Sequence, residues 1–405
     1  MKDTMVSQKK IHRPLIEAVV HILRTVFEEN GYADRVLETI FKNNPKWGAR
    51  DRRFIAETAY SIIRQYRLLK ESALCEDSNY YCLIAAYLTL KGFEIPSWPE
   101  LQIDRNAVTT RHKALLGIRK IRESIPDWLD DRGERELGER WETELRALNE
   151  EAHLVLRANT LKNTSDQLMN ILRDEGVETE LVPGFPDALI VKKRQNVFRL
   201  KSFHEGRFEV QDAASQMVAP FVDAAPGSRV VDACAGAGGK SLHLAALMHN
   251  RGRLIALDVA GWKLTELRRR ARRAGVDNLE TRLIDSPKVI KRLAETADRV
   301  LLDVPCSGLG VLKRNPDTKW KLTEEQIEEI GRQQAEILDT YAAMVRPGGY
   351  LVYATCSILP SENENRINAF LERHRGMFEM VDEKRLWPSN GFDGFYMARL
   401  RRSTL

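Results

Sequence analysis

Cysteine is scarce in this 405-residue chain, five in all, and no two of them stand two residues apart as zinc knuckles and dithiol redox motifs require. A resident metal is therefore not expected. Long apolar runs are missing too: no stretch reaches the roughly 18 residues that a membrane span needs. The start carries Lys2, Lys9, Lys10 and Arg13 but lacks the apolar centre of a signal peptide. Together these absences lead us to expect a cytoplasmic protein whose thiols stay free. No internal repeat or low-complexity tract is present, and no heptad seam asks for more than a monomer. Neither charge dominates, since 63 Lys plus Arg against 58 Asp plus Glu give +5. Such a balance permits a nucleic-acid partner without requiring one.

The length predicts two or three domains at about 100 to 200 residues each. Residues 1–150 are patterned as helices: Leu15, Val19, Leu23 and Val26 recur at three and four residues, as do Val36, Leu37, Ile40 and Phe41. Asn30-Gly31 and Asn43-Asn44-Pro45 read as stops, and Trp141, Leu145 and Leu148 mark a last amphipathic helix. A helical bundle is expected there. Residues 151–209 change character, with strands at Leu154–Ala158, Thr179–Val182 and Ala188–Val191 and a helix from Ser165 capped by Asn163 or Thr164. This small α+β module lacks the aromatic signature of a common RNA-recognition motif.

Residues 210–405 alternate strand and helix. Seven strand-like runs begin at Arg229, Arg253, Leu279, Arg299, Gly349, Phe378 and Phe395, which predicts an α/β, doubly wound, Rossmann-like sheet. The last two runs have no long helix between them and should form an antiparallel hairpin at one edge. Open α/β sheets bind ligands beyond the carboxyl ends of their strands, so the residues there are the candidates for chemistry.

The first of these runs, Val230-Val231-Asp232, leads into Ala233-Cys234-Ala235-Gly236-Ala237-Gly238-Gly239-Lys240 and then a helix. Glycines let the backbone approach a ligand that side chains would block. A phosphate-binding Walker loop is excluded, because Cys234 stands where its first glycine belongs. Asp258 ends the second strand about 20 residues on, where a carboxylate accepts both hydroxyls of a ribose. Asp285 and Asp303 end the third and fourth strands. With Asp232 they describe a nucleoside pocket, and the shortage of basic residues turns it from NAD towards a nucleoside with a short charged tail.

Two cysteines complete the set: Cys306 in Asp303-Val304-Pro305-Cys306-Ser307-Gly308 and Cys356 in Tyr353-Ala354-Thr355-Cys356-Ser357, each just past a buried-strand pattern. Together with Asp232 to Lys240, Pro347-Gly348-Gly349, Glu362-Asn363-Glu364 and the entry segment Val210 to Ser215, they resemble the RNA cytosine-5 methyltransferases of the RsmB/NOP2/Sun family. The resemblance runs from about His153 to the end, and the helical start is similar in pattern to the NusB-like domain of the ribosomal-RNA branch. It implies a class I methyltransferase sheet, S-adenosyl-L-methionine as cofactor bound by residues 233–240, Asp258, Asp285 and Asp303, and RNA as partner, with 16S ribosomal RNA ahead of transfer RNA.

The chemistry gives two thiols a use. Carbon 5 of cytosine is a poor nucleophile until a thiolate adds to carbon 6. A hydrogen bond at ring N3, within reach of Asp303, would draw electrons during that attack, and a proton must finally leave carbon 5. Chemistry alone does not say which thiol attacks. The resemblance implies Cys356 as nucleophile, Cys306 as the residue assisting product release, and Lys240 close to the reacting centre. This chain departs from the family pattern at Gly236, where Ala or Ser is usual, and Ala237, where Pro is usual; a more flexible loop is expected.

For RNA, the loop Lys313-Arg314-Asn315-Pro316-Asp317-Thr318-Lys319-Trp320 is expected to overhang the pocket, since a base must be extruded to be modified. Lys192-Lys193-Arg194 and Arg199 to Lys201 could grip phosphates. Arg268, Arg269, Arg270, Arg272 and Arg273 read as a solvated helix face, as do Arg52, Arg53, Arg64 and Arg67. The competing reading is a non-catalytic RNA-binding assembly factor, which would need neither thiol nor the strand-end acids. An NAD-linked oxidoreductase stands further off.

Overall fold

A computed structural model describes residues 11–404; Lys2, Lys9 and Lys10 lie outside them. The chain divides into two units, Met1–Glu150 with Leu312–Glu324, and Glu151–Val311 with Glu325–Leu405.

The first unit is helical. Its opening helices Arg13–Phe27 and Ala33–Asn43 end where the sequence places stops, with Asn30 in the left-handed region. The helix Tyr80–Leu90 is apolar on every side and buried almost throughout, as such a helix must be. At the last helix, Arg140–Leu148, buried Trp141 donates its indole N–H to Asp130 at 2.8 Å. A Cβ on Gly133 would lie 2.2 Å from that ring, so only glycine lets the two helices approach.

Three expectations fail in this unit. Cys75 and Cys82 are joined as a disulfide, their Cα atoms 5.7 Å apart, although all thiols were expected free. That separation suits a disulfide, and the helix ending at Ala73 and the one beginning at Tyr80 fix it. The basic loop after Cys306 does not present its charges to a ligand, because residues 312–324 pack into the helical unit. Lys313 is 3% and Lys319 1% exposed, and the Trp320 indole donates to the Ile63 carbonyl at 2.7 Å. Nor do Arg64 and Arg67 form a solvated face: Arg64 donates to the carbonyls of Leu312 and Lys313, and Arg67 binds Glu71, Asp127 and the Ile125 carbonyl.

The second unit holds two sheets. Strands β1 (Val155–Ala158), β2 (Thr179–Val182), β3 (Phe185–Val191) and β4 (Phe208–Val210) form an antiparallel sheet in the order β2-β3-β1-β4. Its helix Ser165–Asp174 is capped by Thr164, whose hydroxyl accepts from the Gln167 amide in a capping box. The seven-stranded sheet comprises β5 (Arg229–Asp232), β6 (Arg253–Asp258), β7 (Leu279–Leu283), β8 (Ala297–Asp303), β9 (Val345–Thr355), β10 (Phe378–Leu386) and β11 (Phe395–Arg402). Their order is β10-β11-β9-β8-β5-β6-β7, all parallel except β11, which runs antiparallel to both of its neighbours. The expected seven strands and edge hairpin are thus present, with the hairpin folded so that β11 lies inside and β10 outermost. Val231, Ile255, Val300, Leu302, Leu351 and Tyr353 are fully buried, which accounts for the unbroken apolar runs.

The carboxyl ends of β5, β8 and β9 are neighbours in this order, and they carry the glycine loop, Asp303 and Cys356.

Candidate active site

Cys306 lies three residues past the end of β8 and Cys356 directly after β9, and parallel pairing of these strands brings their sulfurs to 3.3 Å. Both side chains are half-buried. The Cys306 thiol is pushed well above its ordinary range, first by its hydrogen bond to Cys356, then by burial and by the charge of Glu362. Beside the pair, Lys240 Nζ bonds Asp303 Oδ2 at 2.6 Å. Burial pulls the Lys240 ammonium down, but Asp303, Cys356 and Asp232 outweigh it and the net shift is upward.

The glycine loop runs over the ends of β5 and β6. Gly236 has φ +55° and Gly238 +89°, both in the left-handed region that favours glycine. A Cβ on Gly238 would strike Leu267 at 1.9 Å, whereas one on Gly236 meets nothing within 4 Å and would enter open space above the loop. Asp258 holds the loop: its two oxygens accept from the amides of Gly236 and Ala260, each at 2.8 Å. Past Asp258 stand Val259 and Trp262, 70% and 63% exposed, with Leu283 beyond them.

The departures from the expected loop sequence are compensated from outside. Arg270, on the helix Gly261–Ala274, donates to the Ala237 carbonyl at 2.7 Å and to Glu209 of β4 at 3.0 Å, while Arg273 binds the other oxygen of Glu209. Arg157 of β1 donates to the Gly239 carbonyl at 2.6 Å. Instead of the looser loop expected from Gly236 and Ala237, the structure shows one anchored at two carbonyls. The expected solvated arginine face is likewise divided: Arg269 pairs with Glu266 at the surface, but Arg270 and Arg273 are drawn to a buried carboxylate.

Residues 219–401 match the family model described as 16S rRNA methyltransferase RsmB/F. Residues 125–198 match the ferredoxin-like domain of RsmF/B-like methyltransferases. A probable ribosomal RNA small subunit methyltransferase B of Synechocystis is 30% identical over 87% of this chain and 88% of its own length. The chain belongs to the RsmB/F methyltransferase family. Ribosomal RNA small subunit methyltransferase B of Salmonella arizonae is 34% identical over 68% of this chain and 66% of its own. Among solved structures, PH0851 superposes with a TM-score of 0.81 at 27% identity, covering 98% of this chain and all of that one. A methyltransferase homologue from Pyrococcus horikoshii gives 0.63 at 27% identity over 71% of this chain and 99% of that one.

The RsmB/F cofactor is S-adenosyl-L-methionine, and the residues present fit it. The space above Gly236 admits a close ligand, Asp258 retains a lone pair on each oxygen for ribose hydroxyls, and the apolar faces of Val259 and Trp262 suit a purine. One strand-end acid differs from expectation. Asp232 is fully buried, bonds Ser241 Oγ at 2.6 Å and is pushed up to about 7, chiefly by burial. It braces the start of the helix Gly239–Leu247 and offers nothing to a nucleoside. Asp285 lies two residues beyond the end of β7 and is exposed, bonded by the Ser286 hydroxyl. Ala233 and Cys234 sit in the turn with the Ala233 amide tied to the Leu301 carbonyl, and burial pushes the Cys234 thiol up. Sequence reasoning missed Arg270, Arg157 and Trp262; the first two act through long-range partners that spacing does not reveal.

Proposed function

We propose that this protein methylates carbon 5 of a cytosine in RNA, 16S ribosomal RNA before transfer RNA, through a covalent link between Cys356 and carbon 6. The observation that carries this reading is the 3.3 Å sulfur pair flanked by the Lys240–Asp303 ion pair. An enzyme moving a methyl group to an oxygen or exocyclic nitrogen would have no use for two adjacent thiols.

In this scheme the Cys356 thiolate adds to carbon 6 while the Lys240–Asp303 ion pair hydrogen-bonds the ring at N3, with the Lys240 ammonium as donor, so that electrons gather on carbon 5. S-adenosyl-L-methionine, when bound over residues 233–240 and Asp258, supplies the electrophilic methyl group. Cys306 keeps its proton in the resting pair because Cys356 and Glu362 raise its affinity for it. Once the Cys356 sulfur is bonded to carbon, that sulfur's charge is gone and Cys306 is released to ionise. It then takes the carbon 5 proton, the ring electrons return, and the bond from Cys356 to carbon 6 breaks.

RNA would be gripped by the small module. Lys192, Lys193, Arg194, Arg199 and Lys201 are all exposed there, and Phe198, 53% exposed, offers a stacking face among them. The helical unit supplies a second RNA contact in this reading, and the protein acts as a cytoplasmic monomer. The test is to incubate the protein with methyl-tritiated cofactor and 16S ribosomal RNA, digest to nucleosides and separate them. Label in 5-methylcytidine is expected; label confined to any other nucleoside would refute the reading.

A further inference from the structure

The two thiols sit on loops with a shared design. Cys306-Ser307-Gly308-Leu309 and Cys356-Ser357-Ile358-Leu359 each place a serine after the cysteine, and each serine oxygen accepts from the leucine amide two residues on, at 3.4 and 3.1 Å. Both hydroxyls then donate to one atom, Oε2 of Glu362, at 2.5 Å from Ser307 and by a short bond from Ser357. The other oxygen, Oε1, accepts from the Ser307 amide at 2.8 Å and from Gln334 Nε2 at 3.1 Å. Gln334 also donates to the Pro305 carbonyl at 2.9 Å, and the Tyr353 hydroxyl donates to the Glu362 carbonyl at 2.7 Å. Asn363, next in the chain, bonds the Thr355 hydroxyl and the Ser357 carbonyl.

Glu362 is entirely buried and is not itself among the thiol pair's bonding partners. A buried carboxylate is costly unless every lone pair is used, and here four donors converge on it from both cysteine loops and from the helix Glu324–Tyr341. Burying an ion is a poor way to gain stability. Its placement between both serines therefore calls for a role in geometry.

We propose that Glu362 is a positioning residue for the sulfur pair, clamping the two Cys-Ser loops together through Ser307 and Ser357 so that Cys306 and Cys356 are held within reach of one another and of one pyrimidine. The proposal rests on the reading that this pair performs the methyl transfer, and the experiment separates the two. Its first readout needs neither RNA nor cofactor: the rate at which diamide closes a Cys306–Cys356 disulfide, mapped by peptide mass spectrometry on the full chain. In Glu362→Gln an amide nitrogen replaces one acceptor oxygen, and the crosslinking rate is expected to fall about tenfold. In the second readout, kcat for methyl transfer should fall about 100-fold with KM for RNA and calorimetric affinity for S-adenosyl-L-methionine within about twofold of the parent.

Should Glu362→Gln fail to fold, Ser307→Ala and Ser357→Ala replace it. Each should reproduce most of the loss, and the double variant should add little, because a bridge needs both ends. Unchanged crosslinking in Glu362→Gln, or additive effects of the two serine variants, would overturn the proposal. A parent protein that methylates no cytosine would sink the functional reading, while the crosslinking result would still decide the role of Glu362.

Discussion

Replacing Arg270 by Ala would test whether the cofactor loop is held from outside. Arg270 makes two contacts, to the Ala237 carbonyl at 2.7 Å and to Glu209 at 3.0 Å, and Glu209 is buried. Orphaning a buried charge costs about 3 to 5 kcal/mol, but Arg273 still pairs with Glu209, so the stability loss should be nearer 2 kcal/mol. The contact to Ala237 is a charge-assisted bond to a carbonyl on the ligand-binding loop. Losing it removes about 1 kcal/mol or a little more from the conformation ready for the cofactor. Affinity for S-adenosyl-L-methionine should therefore weaken about five- to tenfold. Isothermal titration calorimetry on the folded variant measures this directly, with urea unfolding as the control. Arg270→Lys, able to serve one partner but not both, should fall between. An unchanged dissociation constant in Arg270→Ala would refute the idea that this arginine stands in for the missing loop proline.

Other outcomes follow from the same contacts. His243, buried against Asp187 at 3.1 Å, is held down to about 4 by burial and by Arg157. The unfolded chain therefore takes up the proton first, and as pH falls from about 6.5 to 4 folding should lose about 3 kcal/mol. Because Asp232, raised to about 7, shifts stability the other way over this range, the contribution is read as a difference: between pH 7 and 4.5 the parent should lose about 2 kcal/mol more than His243→Asn in urea titrations. Gly310→Ala would drive a Cβ to 2.7 Å from the Cys356 carbonyl and 2.4 Å from that of Gly394, so single-turnover methyl transfer should slow about 100-fold with cofactor affinity intact. Lys319→Met would leave the Arg64 and Glu123 carbonyls and Asn149 Oδ1 without their donor, lowering the thermal unfolding midpoint through a loss of about 3 kcal/mol.

Much of the fold is legible because buried parallel strands write themselves as Val, Ile and Leu runs. β4 escaped notice: three residues, Phe208–Val210, are too few to show a period. The site is legible where chemistry and strand ends coincide, as at Cys306, Cys356, Asp303 and Lys240. It is illegible where long-range folding decides a side chain's surroundings. Lys319 and Trp320 look like a ligand-gripping loop because they follow Cys306 closely, yet the chain crosses into another unit at Leu312. Arg270 and Arg273 look like surface charge because the carboxylate that recruits them is some sixty residues away. Asp232 looks like a ligand contact, but its helix-bracing bond to Ser241 needs the loop geometry to be seen.

The division of labour between the sulfurs can be read most directly from a denaturing gel. Cys306→Ala and Cys356→Ala proteins are each incubated with S-adenosyl-L-methionine and labelled 16S ribosomal RNA, then heated in detergent. A band of protein carrying RNA is expected for Cys306→Ala, which can bond to the ring but not release it, and none for Cys356→Ala. An adduct formed by Cys356→Ala and absent from Cys306→Ala would contradict the assignment.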